Sequence, residues 1–337
     1  MSDKAAEGSY SSKWRGDFGV PIDSRRATED DIYYCYRLLL GRNPDAGGFA
    51  NYAAMIDSRD VSIDLLVTMF LSSAEFKYRN PSSDEAAVRV DLPGFHIYAL
   101  PDDWAVGQHI LKTGAYEPHV TAVMREVLRP GMVFVDVGAN IGFFTLLARS
   151  LVGRGGRVYA FEPNPRNTAL LHLSLEANSF QDVELFPFAL ADSARLFVYD
   201  AQGSNGVITA FDGDLKTLAS RMVIRSVNLD QLLQMDRCDV VKIDVEGAEG
   251  LAIRGAMRTI QAHHPMIFSE FSPPQLESVS RISGERYLGL LFAEGYFVSI
   301  ITPSSGLVDC GRDAAKVMAA FHQAGVSHID ILAARRA

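Results

Sequence analysis

From Met132 to Phe271 the chain repeats one rhythm, a short apolar run followed by a helical pattern, and that rhythm sharply limits the folds open to it. MVFVDV (132–137), RVYAFE (157–162), VELFPF (183–188), DVVKID (239–244) and PMIFSEF (265–271) have strand length and are rich in β-branched and aromatic residues. TLLARSLV, NTALLHLSLEAN and the stretch from Ala248 to His263 lie between them with helical spacing. Strand alternating with helix calls for parallel strands joined by right-handed crossovers, with helices over both sheet faces. The expected class is α/β with a doubly wound, mainly parallel sheet. One region breaks the rhythm. RLFVYDAQGSNGVITAF and RMVIRSVNL are extended segments around a Gly-Ser-Asn-Gly turn, so a hairpin is expected before the fourth strand.

Upstream the chain changes character. Residues 1–26 are rich in Ser, Gly and charge and are expected to form a flexible tail. In residues 27–80, ATEDD offers a helix N-cap with acids in the first turn, and IYYCYRLLLGR, FANYAAMI and DVSIDLLVTMFLSSAEFKYR have helical spacing. Through RLLLGRNPDAGGFANY and FLSSAEF this segment resembles a small all-α domain of unknown function seen beside bacterial glycan-modifying enzymes. It carries no cluster of catalytic residue types, so a docking role toward a protein or larger acceptor is expected. Residues 81–89 are expected as a linker and 90–337 as the second domain.

With 48% hydrophobic and 22% charged residues in 337, the chain can bury a real core. Its net charge of −9 disfavours nucleic acid as a general partner. The cysteines, Cys35, Cys238 and Cys310, are odd in number and scattered, which disfavours a disulfide framework and a cysteine zinc site. No run approaches the ~18 apolar residues of a membrane span, and MSDKAAEGSYSSKWRG lacks a signal-peptide core. A cytoplasmic location is expected.

The chemistry concentrates at strand ends. VFVDVGANIGFFTLLAR places Gly138 and Gly142 after the first strand, with Asp136 at its end and Asn140 between the glycines. Such a turn suits dinucleotide, nucleotide or adenosyl-methionine sites, because glycine permits a tight turn and close approach. The dinucleotide fingerprint needs a glycine where Asn140 stands, which argues against a nicotinamide-dependent oxidoreductase. Glu162, ending the second strand about 20 residues on, is placed for bidentate hydrogen bonding to ribose hydroxyls.

FVDVGANIGFFT, FEPNP, FALAD and above all VVKIDVEGAE followed by FSEFSP resemble the FkbM family of methyltransferases over roughly residues 90–302. DDWAVGQHILKTGAYEPHV fits the family's lead-in, where a helix and the pair Tyr116–Glu117 close over the cofactor side. The resemblance implies a Rossmann-like class I fold with S-adenosyl-methionine as cofactor. It implies that Asp136, Gly138, Asn140 and Gly142 hold the methionine end, Glu162 the ribose with Asn164 nearby, and Ala189 to Asp192 the adenine. Asp244 would face the reacting end. It further implies methyl transfer to oxygen, on a hydroxyl of a sugar, glycan or secondary metabolite. A carboxyl of a peptide or small acid is the nearest alternative, and a non-catalytic binding module is the alternative of another class.

The acids in VVKIDVEGAEG need a positive guest or solvent to coexist. Neighbouring parallel strands would bring Asp244, Glu246 and Glu270 into one crevice beside a cationic donor. Those three carboxylates also offer the oxygen ligands a divalent ion such as Mg²⁺ takes, so a metal set is a second expectation. Glu249 falls in the first turn of a helix and equally suits the positive helix end. Lys242 either neutralises a neighbour or runs out to solvent. His109 and His119 flank KTGAYEP, where a lid could bring either in as a base, His119 being the candidate carried forward. The sequence leaves self-association open.

Overall fold

The computed structural model describes residues 26–58, 61–73, 75–76, 86–211, 213 and 221–336. The expected tail, apart from Arg26, and most of the expected linker lie outside the described residues. The chain divides into two compact units, Met1–Ser82 and Ser83–Ala337.

In the first unit, α1 (Glu29–Leu38), α2 (Ala46–Ser58) and α3 (Ile63–Ser72) pack around Ile32, Tyr36, Leu66 and Phe70. Thr28 and Asp31 form a reciprocal capping box, satisfying donors that a helix start leaves unpaired. Arg42 clasps Glu75 through two hydrogen bonds of 2.6 and 2.7 Å and also reaches Asp45 at 3.1 Å.

The second unit opens with an antiparallel hairpin, β1 (Val88–Leu92) and β2 (Phe95–Ala99), followed by α4 (Gly107–Thr113) and α5 (Pro118–Val127). Next come β3 (Val133–Val137), α6 (Phe143–Val152), β4 (Arg157–Phe161), α7 (Pro165–Asn178) and β5 (Val183–Phe186). β6 (Ala189–Leu190), β7 (Leu196–Gln202), β8 (Asn205–Ala210) and β9 (Met222–Val227) form a separate small sheet, within which β7 and β8 are the expected hairpin. After α8 (Leu229–Leu232) the chain enters β10 (Val240–Ile243). The helical stretch that follows breaks at Ala256 into α9 (Glu249–Gly255) and α10 (Met257–His263). β11 (Met266–Phe271), α11 (Pro273–Val279), α12 (Gly284–Ala293), β12 (Phe297–Ile301), β13 (Leu307–Gly311), α13 (Ala314–Ala324) and β14 (Ile329–Ala334) complete the unit.

Among the described residues the main sheet has eight strands in the order β13-β12-β14-β11-β10-β3-β4-β5. β5, β4, β3, β10 and β11 run parallel, and β14 is inserted antiparallel between β11 and β12. Alternate residues of each strand feed two separate cores. Val135, Val137, Val241 and Ile243 pack on one face, and Phe134, Val158, Val240 and Phe268 on the other. Burial on both faces explains why these strands read as continuous apolar runs rather than alternating ones. The strand order reverses between β3 and β10, and at such a switch point the crossovers leave a crevice at the strand carboxyl ends. No helix among the described residues is long and apolar enough to cross a membrane.

Candidate cofactor and acceptor site

A cavity of about 300 Å³ occupies that crevice. Of the residues expected at the site, Tyr116, Glu117, Gly138, Asn140, Glu162, Ala189, Asp244, Glu246 and Glu270 all line it. Three of its lining residues, Glu117 (φ 39°), Asn140 (φ 53°) and Glu246 (φ 52°), hold left-handed backbone without being glycine. Conformations of that kind cost of order 1 kcal/mol or more and persist where surrounding contacts fix them.

The glycines of the first turn serve packing more than ligand approach. At Gly138 (φ 86°) a Cβ would lie 1.9 Å from the Asp244 carbonyl oxygen, so the bare backbone lets β3 and β10 close together at the switch point. At Gly142 (φ 99°) a Cβ would meet Leu171 at 2.2 Å, and the residue instead admits α7 against the start of α6. Gly142 does not line the cavity.

Glu162 follows β4 and is 4% exposed. Its Oε2 accepts from the Asn140 amide (2.9 Å), and its Oε1 accepts from the Asn164 amide (2.8 Å) and Asn167 Nδ2 (3.3 Å). Burial pushes its pKa up to about 7 against the pull of those donors. Asn164 acts behind it as the N-cap of α7, its Oδ1 accepting from the Arg166 amide at 3.0 Å, and does not reach the cavity.

At the centre, Lys242 resolves the crowding of acids. Its register partner on β3 is Asp136, so both side chains enter the same helix-covered face. The ammonium donates to Asp244 Oδ2 at 2.8 Å and lies 4.5 Å from the centre of the Phe144 ring. Lys242 is 5% exposed, so it neutralises its neighbours and does not run to solvent. Burial alone would lower its pKa, but the charges of Asp244, Glu117 and Asp136 outweigh it and raise the value. Asp136 accepts from Thr145 at 2.6 Å and is not among the residues that line the cavity, so it stands behind Lys242. Burial raises its pKa, with Lys242 and Thr145 opposing. Glu117 Oε2 is buried with no hydrogen-bond partner in the protein, and burial raises its pKa to about 7.

The other end of the cavity is lined by Glu246, Glu270, Gln275, Ser327 and His328. Glu246 accepts from Asn205 Nδ2 and from Gln275 Nε2, each at 2.9 Å. Burial, and then the charges of Asp244 and Glu246, raise the Glu270 pKa well above the ordinary carboxylate range. His328 Nδ1 stands 3.8 Å from Glu270 Oε2. Asp244, Glu246 and Glu270 share the cavity, but among the described residues no three His, Cys, Asp or Glu side chains converge as a metal-holding group. Lys242 holds one oxygen of Asp244, Oδ2, and the carboxamides of Asn205 and Gln275 hold the two oxygens of Glu246.

Three further expectations do not reach the cavity. His119 turns its Nε2 to Asp330 Oδ2 at 2.7 Å, and that hydrogen bond raises its pKa against burial. Asp330 is the register partner of Glu270, so His119 braces the strand beside Glu270. Asp192 is held outside by Arg195 at 3.0 Å and Arg254 at 3.3 Å. Glu249 turns back inside its own loop to accept from the Val245 and Gly247 amides, and burial raises its pKa to about 7. Ser204, Gln275 and His328 went unmarked in the sequence. Ser204 and Gln275 follow visible signals, the hairpin turn and FSEFSPPQ, whereas only the β14 insertion brings His328 to the site.

A five-stranded parallel core, an antiparallel strand slotted beside the fifth, and an acid at the end of β4 define the class I methyltransferase fold. Residues 136–298 match the methyltransferase FkbM domain. The AMB antimetabolite synthetase AmbE of Pseudomonas aeruginosa is 30% identical over 290 residues, covering 70% of this chain and 13% of that protein. A probable cobalt-precorrin-6B C(15)-methyltransferase of Sulfolobus acidocaldarius is 30% identical over 86 residues, covering 26% of this chain and 45% of its own. The chain therefore spans less than half the length of either relative. The crystal structure of methyltransferase FkbM from Methylobacillus flagellatus aligns at 14% identity with a TM-score of 0.40, over 93% of this chain and 61% of that one.

Proposed function

We propose that the second unit binds S-adenosyl-methionine in this cavity and directs its methyl group to a hydroxyl oxygen of a sugar, glycan or secondary metabolite. The observation that carries the reading is the division of labour along one cavity, with a backbone-braced carboxylate (Glu162) at one end and acids around a buried ammonium at its centre. Glu162 would take the ribose, and Phe161, Ala189 and Leu190 supply apolar surface beside it for the base. Asp244 and the unpartnered Glu117 Oε2 present negative charge to the cationic methionine end.

When bound, the cofactor supplies an electrophilic methyl on a positively charged sulfur. Lys242 keeps the facing carboxylates from binding that charge too tightly, since only interactions that survive into the transition state speed the transfer. Methylation of a hydroxyl releases one proton, and Glu270, its affinity for protons raised by burial and then by its acidic neighbours, is placed to receive it. The same acidic neighbours oppose a carboxylate acceptor, which favours a neutral hydroxyl over the carboxyl alternative.

Isothermal titration with S-adenosyl-methionine and S-adenosyl-homocysteine tests the reading. Both are expected to bind, and Glu162→Gln is expected to weaken both roughly 10- to 100-fold, as loss of a charged hydrogen-bond acceptor does. Absence of binding to the unaltered protein at high micromolar ligand would sink it.

A further inference from the structure

The far end of the main sheet carries a second concentration of charge, opposite in sign to the acids of the cavity. Phe297 opens β12 and pairs with Ala334 on β14, whereas Asp330, opposite Glu270, marks the cavity end of the same strand. The strand between Asp330 and Ala334 separates the two levels by about 13 Å. Around Phe297 three arginines converge. Arg312 and Arg336 hold their guanidinium carbons 4.7 and 4.2 Å from the centre of its ring. Gly295 (φ 89°) leaves room beside them, since a Cβ there would lie 3.2 Å from Arg335 Nε and 3.4 Å from a terminal nitrogen of Arg312. Bare backbone at this turn lets two guanidinium groups come side by side.

Cations this close repel one another unless an anion or water lies between them. The neighbouring carboxylates are engaged elsewhere. Asp309 pairs with Arg336 and accepts from the Gly311 amide at 2.9 Å. Asp313 caps α13 by accepting from the Lys316 amide at 3.0 Å, and Glu294 accepts from Gln261 Nε2 at 3.0 Å. The side chains of Arg312 and Arg335 make no hydrogen bond or ion pair among the described residues, and both residues are exposed. Contact with the Phe297 ring holds the Arg312 and Arg336 guanidinium groups in place and leaves N–H edges free to grip oxygens two at a time.

We propose that Arg312, Arg335 and Arg336 form a binding site for the phosphate group of a soluble phosphomonoester. Its oxygens match the guanidinium fork, and its charge of about −1.5 to −2 at pH 7 answers several cations where a carboxylate answers one. The net charge of −9 decides the size of the ligand. An extended anionic polymer or a membrane surface would meet the acidic remainder of the chain, and a compact anion would not. The site stands apart from the cofactor cavity and does not depend on what that cavity binds.

Calorimetric titration of the full chain with glycerol 3-phosphate tests the proposal, at low ionic strength because salt screens exposed charges. One saturable event is expected. Arg312→Gln and Arg335→Gln should each weaken it roughly 10-fold, as loss of a charge-assisted donor does. Arg286→Gln, which removes an exposed arginine of α12, should leave it unchanged. Thermal midpoints without ligand should stay close to that of the unaltered protein, since all three side chains lie at the surface. Lack of saturation at millimolar glycerol 3-phosphate, or an equal loss in all three variants, would overturn the proposal. So would co-sedimentation with phosphatidic-acid vesicles by a protein that ignores the soluble ester, an outcome that would give the patch to a lipid headgroup.

Discussion

Replacing Lys242 by Met keeps the aliphatic stem in the core and deletes only the charge. The ammonium is the counter-ion on β10 for Asp244 (2.8 Å away) and acts electrostatically on Glu117 and Asp136. Removing one partner of a buried ion pair typically costs 3–5 kcal/mol, because the remaining charge has lost both water and partner. About 4 kcal/mol is the expected loss at pH 8. The loss should shrink with acid. Glu117 already sits at about 7 with the ammonium lowering it, and without Lys242 its folded-state pKa rises further, as does the raised value of Asp136. Acids raised in the folded state bind protons there before they do in the unfolded chain. Their unfavourable contribution is absent below the ordinary carboxylate range and grows as pH climbs through the raised values. Each tenfold gain in proton affinity is about 1.4 kcal/mol, so protonation of Glu117 and Asp136 should recover roughly half the loss by pH 5.5. Urea denaturation of both proteins at pH 5.5 and pH 8, read in the transition that S-adenosyl-homocysteine shifts, measures this. A gap of equal size at both pH values would show that Lys242 acts by packing alone, and a gap below about 1 kcal/mol at pH 8 would refute the ion-cluster argument.

Two other outcomes are expected. Methyl transfer should rise with pH along a limb set by Glu270, above the ordinary carboxylate range, since the group must shed its proton before it can accept one from the hydroxyl. Glu270→Gln should remove that limb, and an unaltered profile in the variant would exclude Glu270 as the proton acceptor. Gly138→Ala, adding a Cβ 1.9 Å from the Asp244 carbonyl at φ 86°, should destabilise the second unit by about 3 kcal/mol or more. A thermal midpoint within a degree of the unaltered protein would mean the β3–β10 junction yields easily.

The parallel strands were legible because each is buried on both faces and so stands out as a short apolar run between helical stretches. Glu162 and Asp244 were legible for a related reason, since an acid ending such a run must lie at the sheet edge where ligands gather. What the sequence hid was pairing at a distance. β12 and β14 are as apolar as the core strands, but nothing local says that β14 enters antiparallel between β11 and β12 and carries Ser327 and His328 to the cavity. The β1–β2 hairpin, by contrast, has a readable signal in Pro93–Gly94 between alternating segments. Asp192 misled because position after β6 says nothing of the two arginines that draw it outward. The role of Lys242 needed the register, which sets it beside Asp136 rather than toward water.

The switch point also bears on the order of events in folding. β3 pairs with β10 across 106 residues (Phe134 with Val240), whereas β14 reaches β11 across 66 (Ile267 with Ala333) and β12 across 37 (Phe297 with Ala334). Pairings across the longest stretches close late, because loop entropy is lost before the contacts repay it. Glu162 and the glycine turn belong to one side of that seam, and Lys242, Asp244 and Glu270 to the other. The crevice is therefore made by the closing of its own seam, and neither half of the sheet holds the site before it.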